Sequence, residues 1–365
     1  MEDQTFDQLL QAAVNSGAAD VHLKVGSPCM IRDGDDLSPV TDILLRVEDL
    51  EWVVRRILKP TSQKPGSTLD LNRLDTITDL DVSYSIPGLG RFRVNISRQR
   101  GTLAVTMRVI ASEVPDADKL QLPETVKEMA HEPRGLILVT GATGNGKSTT
   151  LAAMIDHVNK TVRRKVVTIE DPIEFLIPDI LCSVNQREVG SDSAGFTSAL
   201  RAALRQDTDI IMVGEMRDRE TIEIALKAAE TGHLVLSSAH TSDAEGTITR
   251  LLGVFDPAEQ AVVRLRLLET LRGVISQRLV RLKDSDGRIA AVEIMKMTDA
   301  IRERIQTSDP RGFYDLIEQG WNPYRMQTFD QHLTELFKRG LISFETAIAA
   351  SSSPVNFKRN LQFDS

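Results

Sequence analysis

A glycine-rich loop between an apolar strand and an amphipathic helix constrains this chain more than any other feature. Residues 135–140 read GLILVT, a short apolar run typical of a strand buried on both faces, and GATGNGKST follows at Gly141–Thr149. Apolar residues then recur at helical spacing over 151–158. This order of strand, G-x-x-x-x-G-K-[ST] loop and helix predicts a phosphate-binding loop and favours an α/β fold.

The residue types of the loop suit a nucleoside triphosphate with Mg²⁺. Glycines let backbone N–H groups turn towards phosphate oxygens, Lys147 reaches the β- and γ-phosphates, and the Ser148 hydroxyl is a magnesium ligand. No Asn-Lys-x-Asp guanine motif follows, which favours ATP over GTP. The alternative, a plain connecting turn, is disfavoured by its context. The expected ATP-binding residues are Thr143, Gly144, Asn145, Gly146, Lys147, Ser148 and Thr149.

Three further short apolar strands predict a doubly wound parallel sheet. They read KVVTIE (165–170), DIIMV (209–213) and LVLSS (234–238), and helical patterns separate them. Beyond about residue 258 the pattern predicts a mainly helical part. It ends in FDQHLTELFKRG (329–340) and a second short helix after Ser343.

Residues 1–110 read as a smaller α/β domain. An amphipathic helix comes first, and a hairpin follows in which residues 82–86 and 92–96 alternate around the turn Pro87-Gly88-Leu89-Gly90. LAVTMRVI (103–110) predicts a third strand. The next stretch is polar with prolines, so we assign a linker to 111–122 and a second domain to 123–365.

Composition limits the class of protein. A length of 365 residues suggests two domains, and no apolar run reaches the roughly 18 residues of a membrane span, although a membrane partner stays open. With 2 Cys and no export signal, we expect a reducing cytoplasm. A net charge of −8 disfavours general nucleic-acid binding, although such a sum does not exclude a local basic channel.

Two acidic segments follow strands of the expected sheet, at the edge where doubly wound folds bind ligands. Residues 208–218 read TDIIMVGEMRD, so the strand ends in Gly214-Glu215 where phosphate-loop ATPases usually carry Asp. TIEDPIE (168–174) supplies Glu170, Asp171 and Glu174. TIEDPIE on its own could be a solvated turn. Because it accompanies a phosphate loop, a role in binding metal or water is favoured.

Two histidines and a group of arginines are further candidates. His233 and His240 flank the last strand; their spacing does not suit a metal site, and only His240 falls at the carboxyl end near the expected γ-phosphate. Arg91 and Arg93 share one face of the hairpin, and Arg108 lies on the next strand. A solvated basic edge explains any single arginine; the group suggests contact with a nucleotide.

The motifs together resemble a known family. GATGNGKSTTLAAM, TIEDPIEF, NQREVG, ALRQDTDIIMVGEMRD and TGHLVLSSAHTSDA, in this order, are similar to the secretion ATPases of type IV pilus and type II secretion systems, and among them to the twitching-motility retraction ATPases. ADVHLKVGSPCMIR, GRFRVN and MQTFDQHLTELFKRGLIS extend the resemblance over nearly the whole chain.

The resemblance implies a homohexameric ring of PAS-like and RecA-like domains, with the nucleotide between domains. It implies that Glu174 is the catalytic glutamate and that Glu215 ends the Walker B strand, where with Ser148 it holds magnesium through water. The histidine box corresponds to His233 and His240. Arg93 and Arg108 correspond to arginines that reach the nucleotide.

Features of this chain favour retraction within the family. Extension ATPases generally carry an added N-terminal domain and a four-cysteine zinc element, and this sequence shows neither. The implied partners are the inner-membrane platform protein and, indirectly, pilin, with no nucleic acid, at a cytoplasmic location peripheral to the inner membrane. Ala142 and Asn145 differ from the residues that many relatives carry in the phosphate loop. Both positions contribute mainly backbone atoms to the loop, so the difference puts little in doubt.

AIRERIQT (300–307) differs from the family pattern, because retraction ATPases usually read close to AIRNLIRE there. The motif is tied to retraction in the family, so the difference concerns the coupling of ATP hydrolysis to retraction. It leaves open a retraction-accessory paralogue that works beside a principal motor. A RecA-like nucleic-acid translocase is a further alternative. The net charge of −8 and only 4% aromatic residues count against it.

Overall fold

The computed structural model describes residues 3–34, 36–63, 69–110, 113–307, 312–354 and 357–358. By its internal contacts the chain divides into two compact units. The first comprises Met1–Glu113 together with Pro172–Leu176, and the second comprises Val114–Asp171 and Ile177–Ser365. Within the described ranges, no helix is both long and apolar enough to cross a membrane.

The first unit is an antiparallel sheet with helices. Its described strands form a six-stranded sheet in the order β3-β2-β1-β6-β5-β4. The elements are α1 (Asp3–Asn15), β1 (Asp20–Lys24), β2 (Met30–Asp33), β3 (Asp36–Pro39), α2 (Val47–Ser62), β4 (Asp79–Ile86), β5 (Gly90–Gln99) and β6 (Thr102–Ile110).

The hairpin predicted from alternation is confirmed. Val82 pairs with Val94 and Tyr84 with Phe92 across β4 and β5, so both strands turn their apolar residues to one face. That face packs on α1 and α2 residues such as Phe6 and Val54, which are fully buried. The predicted third strand is β6, which pairs with β5.

The second unit is built on a seven-stranded sheet in the order β13-β12-β7-β11-β10-β8-β9. All neighbouring strands are parallel except the antiparallel pair β12 and β13. The elements are α3 (Glu124–Ala130), β7 (Gly135–Thr140), α4 (Lys147–Thr161), β8 (Lys165–Glu170), β9 (Ser183–Glu188), α5 (Phe196–Ala203), β10 (Ile210–Val213), α6 (Arg219–Glu230), β11 (Leu234–Ala239), α7 (Ala244–Gly253), α8 (Pro257–Thr270), β12 (Leu271–Arg281), β13 (Arg288–Lys296), α9 (Asp299–Gln306), α10 (Phe313–Gln319), α11 (Trp321–Tyr324), α12 (Phe329–Lys338) and α13 (Phe344–Ala350).

The four strands predicted from apolar runs are confirmed as β7, β8, β10 and β11. Successive residues of β7 explain why the runs are continuous: Leu136 and Leu138 join one core cluster, and Ile137 and Val139 join the cluster on the other face. Each such buried side chain contributes roughly 1.5–3 kcal/mol. The sheet is therefore covered on both sides, as a doubly wound fold requires.

The expectation of a mainly helical part beyond residue 258 is wrong for residues 271–296. These residues form the long hairpin of β12 and β13, and β12 adds to the central sheet beside β7. Helices do predominate after Asp299. The physical reason is that buried polar residues interrupt the apolar run of each strand.

Both cysteines of the sequence are buried. Cys29 lies in the core of the first unit, where burial raises the pKa of its thiol to about 12. Burial also raises the pKa of Cys182, which lies in the second unit and directs its Sγ to the Val162 carbonyl. Neither thiol is reactive in the manner of an exposed, low-pKa cysteine.

Candidate active site

The phosphate loop leaves β7 and enters α4 through two positions that require glycine. Gly141 has φ +150°, and a Cβ there would lie 2.5 Å from the carbonyl oxygen of Gln277. Gly146 adopts a left-handed conformation, and α4 begins at the next residue. The intervening turn carries Thr143, Gly144 and Asn145, and the first turn of α4 carries Ser148 and Thr149.

Lys147 is buried with its ammonium group inside the loop. Its Nζ donates to the carbonyl oxygens of Gly141 and Ala142, at 3.0 Å each. A buried ammonium group is costly unless oxygen atoms surround it, and these carbonyls meet that need. Nζ also lies 3.5 Å from Nδ1 of His240. The charge is therefore held where the loop curves, facing the carboxyl edge of the sheet.

His240 lies between Lys147 and Glu215. Its Nε2 is 3.5 Å from Oε2 of Glu215, on the opposite side of the ring from the nitrogen that faces Lys147. Glu215 also forms an ion pair with Arg217, at 2.7 Å. The structure thus assembles the lysine of the loop, the glutamate after β10 and the histidine after β11 in one cluster.

Hydrogen bonds fix the backbone that carries Glu215. The Gly214 N–H donates to the carbonyl of Ile169 at 2.8 Å, and the Ser238 hydroxyl donates to the carbonyl of Gly214 at 2.6 Å. A side chain at Gly214 would approach the Ile169 carbonyl to 3.3 Å. Gly214 therefore lets β8 and β10 pack closely before the chain turns to present Glu215.

His233 lies at the other edge of the sheet, before β11 begins. Its Nδ1 is 3.0 Å from the carbonyl of Ala228 and 3.3 Å from the Thr231 hydroxyl. These contacts belong to the C-terminal end of α6. Of the two histidines singled out by the sequence, the structure brings only His240 to the cluster with Lys147.

The two glutamates of the acidic segment, Glu170 and Glu174, lie in different environments. Glu170, the last residue of β8, is buried and accepts hydrogen bonds from the Thr168 hydroxyl at 2.7 Å and from the Gln186 amide at 3.1 Å. Glu174 is exposed and belongs to Pro172–Leu176, the segment grouped with the first unit. Glu174 is thus on a different unit from Lys147 and Glu215.

Arg93 and Arg108 lie directly opposite each other on β5 and β6 of the first unit. Arg93 is exposed, and Nε of Arg108 is 2.9 Å from Oδ1 of Asp20, its neighbour across β1. Like charges directly opposite each other destabilise a sheet, so packing does not account for this pair. Asp20 offsets the charge of Arg108, so the exposed Arg93 carries the net positive charge of this group.

Comparison with known proteins identifies the family. The family described as Type II/IV secretion system protein matches residues 3–336. The chain belongs to this family. It is 44% identical over 350 residues to the type IV pilus retraction ATPase PilT of Pseudomonas aeruginosa, covering 96% of this chain and 99% of that protein.

The chain is also similar to a second pilus ATPase and to a solved structure. The type IV pilus ATPase PilU of P. aeruginosa is 35% identical over 350 residues, covering 95% of this chain and 89% of that protein. A crystal structure of the pilus retraction motor PilT with bound ADP superposes with a TM-score of 0.85 at 40% identity, covering 96% of this chain and 98% of that one. The mixed α/β fold is therefore shared along the chain.

The candidate oxygen ligands of this secretion-family site fit Mg²⁺. Ser148 supplies a hydroxyl and Glu215 a carboxylate, the ligand types that this hard cation prefers. Within the described part of the chain, no group of three or more His, Cys, Asp and Glu residues is arranged to hold a metal ion by itself. Such a site suits a cation that keeps water and phosphate oxygens as its other ligands.

The sequence analysis did not predict that β12 forms hydrogen bonds with the phosphate loop. The Gln277 side-chain amide donates to the Asn145 carbonyl, and the Leu279 N–H donates to the Asn145 side chain at 3.3 Å. Gln277 is 1% exposed. The available signal was the polar run Ser276–Gln277–Arg278, which stands between apolar residues in GVISQRLV.

Proposed function

We propose that this chain is an ATP-hydrolysing motor that powers the retraction of a type IV pilus. The observation that carries the proposal is the cluster of Lys147, His240 and Glu215 at the carboxyl edge of the sheet, in a chain aligned with a pilus retraction ATPase along almost its whole length. The motor would work as a homohexamer in the cytoplasm, peripheral to the inner membrane. Its partners would be the platform protein and, through it, pilin.

The residues of the second unit bind the nucleotide and its metal in this proposal. Lys147 exchanges its two carbonyl contacts for β- and γ-phosphate oxygens, and the N–H groups at the start of α4 receive further oxygens. Ser148 and Glu215 would hold Mg²⁺, which would supply positive charge against the phosphates. His240 bridges Lys147 and Glu215 and keeps both side chains oriented.

The residues of the first unit complete the chemistry. Glu174 orients or deprotonates the attacking water, and Arg93 and Arg108 stabilise the negative charge of the transition state. Both contributions come from the unit that does not contain the phosphate loop. The free energy of ATP binding and hydrolysis is then converted into the force that retracts the pilus.

The division of work between the two glutamates is tested by turnover and binding measured separately. Glu174→Gln should lower ATP turnover about 100-fold or more with ATP binding retained, because loss of a general base removes roughly 10²–10⁴ in rate. Glu215→Gln should weaken the Mg²⁺ dependence as well as turnover. Lys147→Ala should lose turnover and weaken binding. Near-normal turnover of Glu174→Gln would overturn its role as base.

Retraction is tested in a deletion strain complemented with wild-type or Lys147→Ala protein. Loss of retraction with pilus assembly intact supports the proposal, and loss of assembly instead indicates an extension motor. A strain that retracts without the protein supports the second candidate, an accessory retraction subunit. The observation that favours this candidate is the exposure of Glu303 and Arg304 on α9, where the sequence departs from the usual retraction motif.

A further inference from the structure

Two buried polar residues face each other on the hairpin of β12 and β13. Ser276 and Glu293 are directly opposite in the antiparallel ladder, and they are 0% and 5% exposed. The Ser276 hydroxyl lies beside the Glu293 carboxylate across the ladder and favours its charged form. A buried carboxylate costs free energy that an apolar residue of similar volume would not cost, so packing alone does not explain Glu293.

The pair is extended by one hydrogen bond at each end. The Thr140 hydroxyl donates to Oγ of Ser276 at 3.0 Å, and Thr140 is the last residue of β7 before the phosphate loop. At the other end, the Ala244 N–H donates to Oε1 of Glu293 at 2.9 Å. Ala244 is the first residue of α7 and follows His240–Asp243, which we call the His240 segment.

The four residues form one buried polar row, Thr140–Ser276–Glu293–Ala244, in which Ser276 and Glu293 are joined as cross-strand neighbours. Thr140 and Ala244 are both 0% exposed. Glu293 accepts from the Ala244 N–H, faces Ser276 on the other side, and has no role in the hydrolysis proposed above. In a buried network, an acceptor removed from the middle leaves donors without partners and lets both ends shift.

The charged surroundings of Glu293 come from three elements. Asp243 precedes α7, Arg278 lies on β12, and both line with Glu293 a cavity of about 950 Å³ that also reaches Glu245 and Arg250 of α7. The pKa of Glu293 is raised to about 7, mainly by burial and in part by Asp243, while the Ala244 N–H, Arg278 and Ser276 oppose the rise.

We propose that Glu293 is a positioning residue that couples the phosphate loop to the His240 segment. Through Ser276 and Thr140 it fixes the end of β7, and through Ala244 it fixes the start of α7, so that His240 stays beside Lys147. The inference rests on the proposed ATPase function and assigns a further residue to that site. Glu293 acts through other groups and does not touch the reacting atoms.

The test compares Glu293→Leu with Glu293→Gln by steady-state ATP hydrolysis. Leucine removes the acceptor, and we expect kcat to fall 10- to 100-fold with the KM for ATP within threefold, because sub-ångström misplacement of site groups acts on the chemical step. Glutamine keeps an acceptor for the Ala244 N–H and should restore kcat to within threefold of wild type. Glu293→Leu with wild-type kcat would overturn the proposal.

Val292→Ala is the matched control for stability. Val292 is the buried neighbour of Glu293 on β13, and its side chain belongs to the apolar core. This variant should lower the unfolding temperature and keep kcat within twofold at a temperature where it is folded. If Val292→Ala lost as much kcat as Glu293→Leu, a general loss of packing would explain both and the coupling role would fail.

A double variant tests whether the chain acts as a unit. Ser276→Ala alone should lower kcat several-fold, and adding it to Glu293→Leu should cause no further loss, since the chain is already broken. Fully additive losses would contradict the coupling. Lys147→Ala distinguishes failure of the proposed function from failure of this inference. ATP turnover that is unchanged in Lys147→Ala would refute the ATPase site proposed for this chain. Turnover that is lost in Lys147→Ala but normal in Glu293→Leu would refute only the coupling role of Glu293.

Discussion

Lys147 Nζ and His240 Nδ1 lie 3.5 Å apart, although 93 residues of chain separate them. The contact exists because β7 and β11 are neighbours in register, with Thr140 opposite Ala239, so the residues that follow the two strands leave the sheet at the same edge. His240 reaches Glu215 with its other ring nitrogen. The imidazole therefore contacts both the ammonium group and the carboxylate of the site.

His240→Ala should lower kcat for ATP hydrolysis 10- to 100-fold, with a smaller effect on ATP affinity, because Lys147 and Glu215 lose the group that orients them. Steady-state kinetics and equilibrium nucleotide binding measure the two effects. His233→Ala is the matched control, since the His233 side chain contacts Thr231 and the Ala228 carbonyl at the end of α6, at the other edge of the sheet. Equal losses in both variants would contradict the role given to His240.

Gly141→Ala should weaken ATP binding more than tenfold. The added Cβ would meet the Gln277 carbonyl at 2.5 Å, and φ of +150° is disfavoured for alanine, so the loop must shift. Gly144→Ala is the control, because φ there is also positive, at +80°, but the added Cβ meets nothing within 4 Å. Isothermal titration of both variants decides the point; similar affinities would show that backbone strain, not the contact with β12, limits the loop.

Arg93→Ala should lower ATP turnover about 100-fold without destabilising the protein. The loss is that of a group that stabilises transition-state charge, whereas removing one of two facing arginines relieves repulsion of a few tenths of a kcal/mol. Arg73→Ala, an exposed arginine outside the sheet, is the control. Urea unfolding and ATPase assays measure the two effects, and a drop in stability for Arg93→Ala would contradict the argument.

Glu293 should make stability fall as pH rises from about 4.5 to about 7. Its folded pKa is raised from 4.5 to about 7, so the proton is held more tightly in the folded state, and this contribution is complete below 4.5 and lost as pH passes through 7. Relative to Glu293→Gln, wild type should lose on the order of 3 kcal/mol over that range.

Urea titrations of both proteins at pH 5 and pH 8 measure this difference. Comparison at each pH removes the opposite effect of buried His332, whose pKa is lowered to about 4 and whose contribution is lost as pH falls. A constant difference between wild type and Glu293→Gln would show that Glu293 does not titrate in this range.

Glu303→Asn on α9 should leave ATP turnover within twofold and change retraction velocity. Glu303 is exposed, while Ile301 and Ile305 of the same helix are buried and hold it in place. Single-pilus retraction in optical tweezers measures the coupling directly. Ile305→Ala is the contrasting variant, since loss of a buried isoleucine costs roughly 2–5 kcal/mol of stability. An unchanged retraction velocity in Glu303→Asn would show that this residue does not couple ATP hydrolysis to retraction.

The sequence was informative where one physical signal dominated. Continuous apolar runs predicted β7, β8, β10 and β11, because both faces of these strands are buried. The loop motif also predicted that a helix follows β7, although α4 begins at Lys147, inside the motif. Both signals are local, so no knowledge of distant residues was needed.

The hairpin of β12 and β13 could not be predicted from apolar runs. Ser276, Gln277 and Glu293 are polar yet buried, because they contact the phosphate loop and the start of α7. Their partners lie far away in sequence, and no periodic pattern reports them. The grouping of Glu174 with the first unit likewise depends on long-range packing.

The two buried thiols make this chain suited to site-specific labelling. Cys29 and Cys182 are 0% and 3% exposed, and their raised pKa values keep them protonated at neutral pH. A cysteine introduced on the surface of each unit would therefore react with a fluorophore or spin label while the native residues stay unmodified. The distance between the two units during ATP turnover is open to measurement in the otherwise unaltered protein.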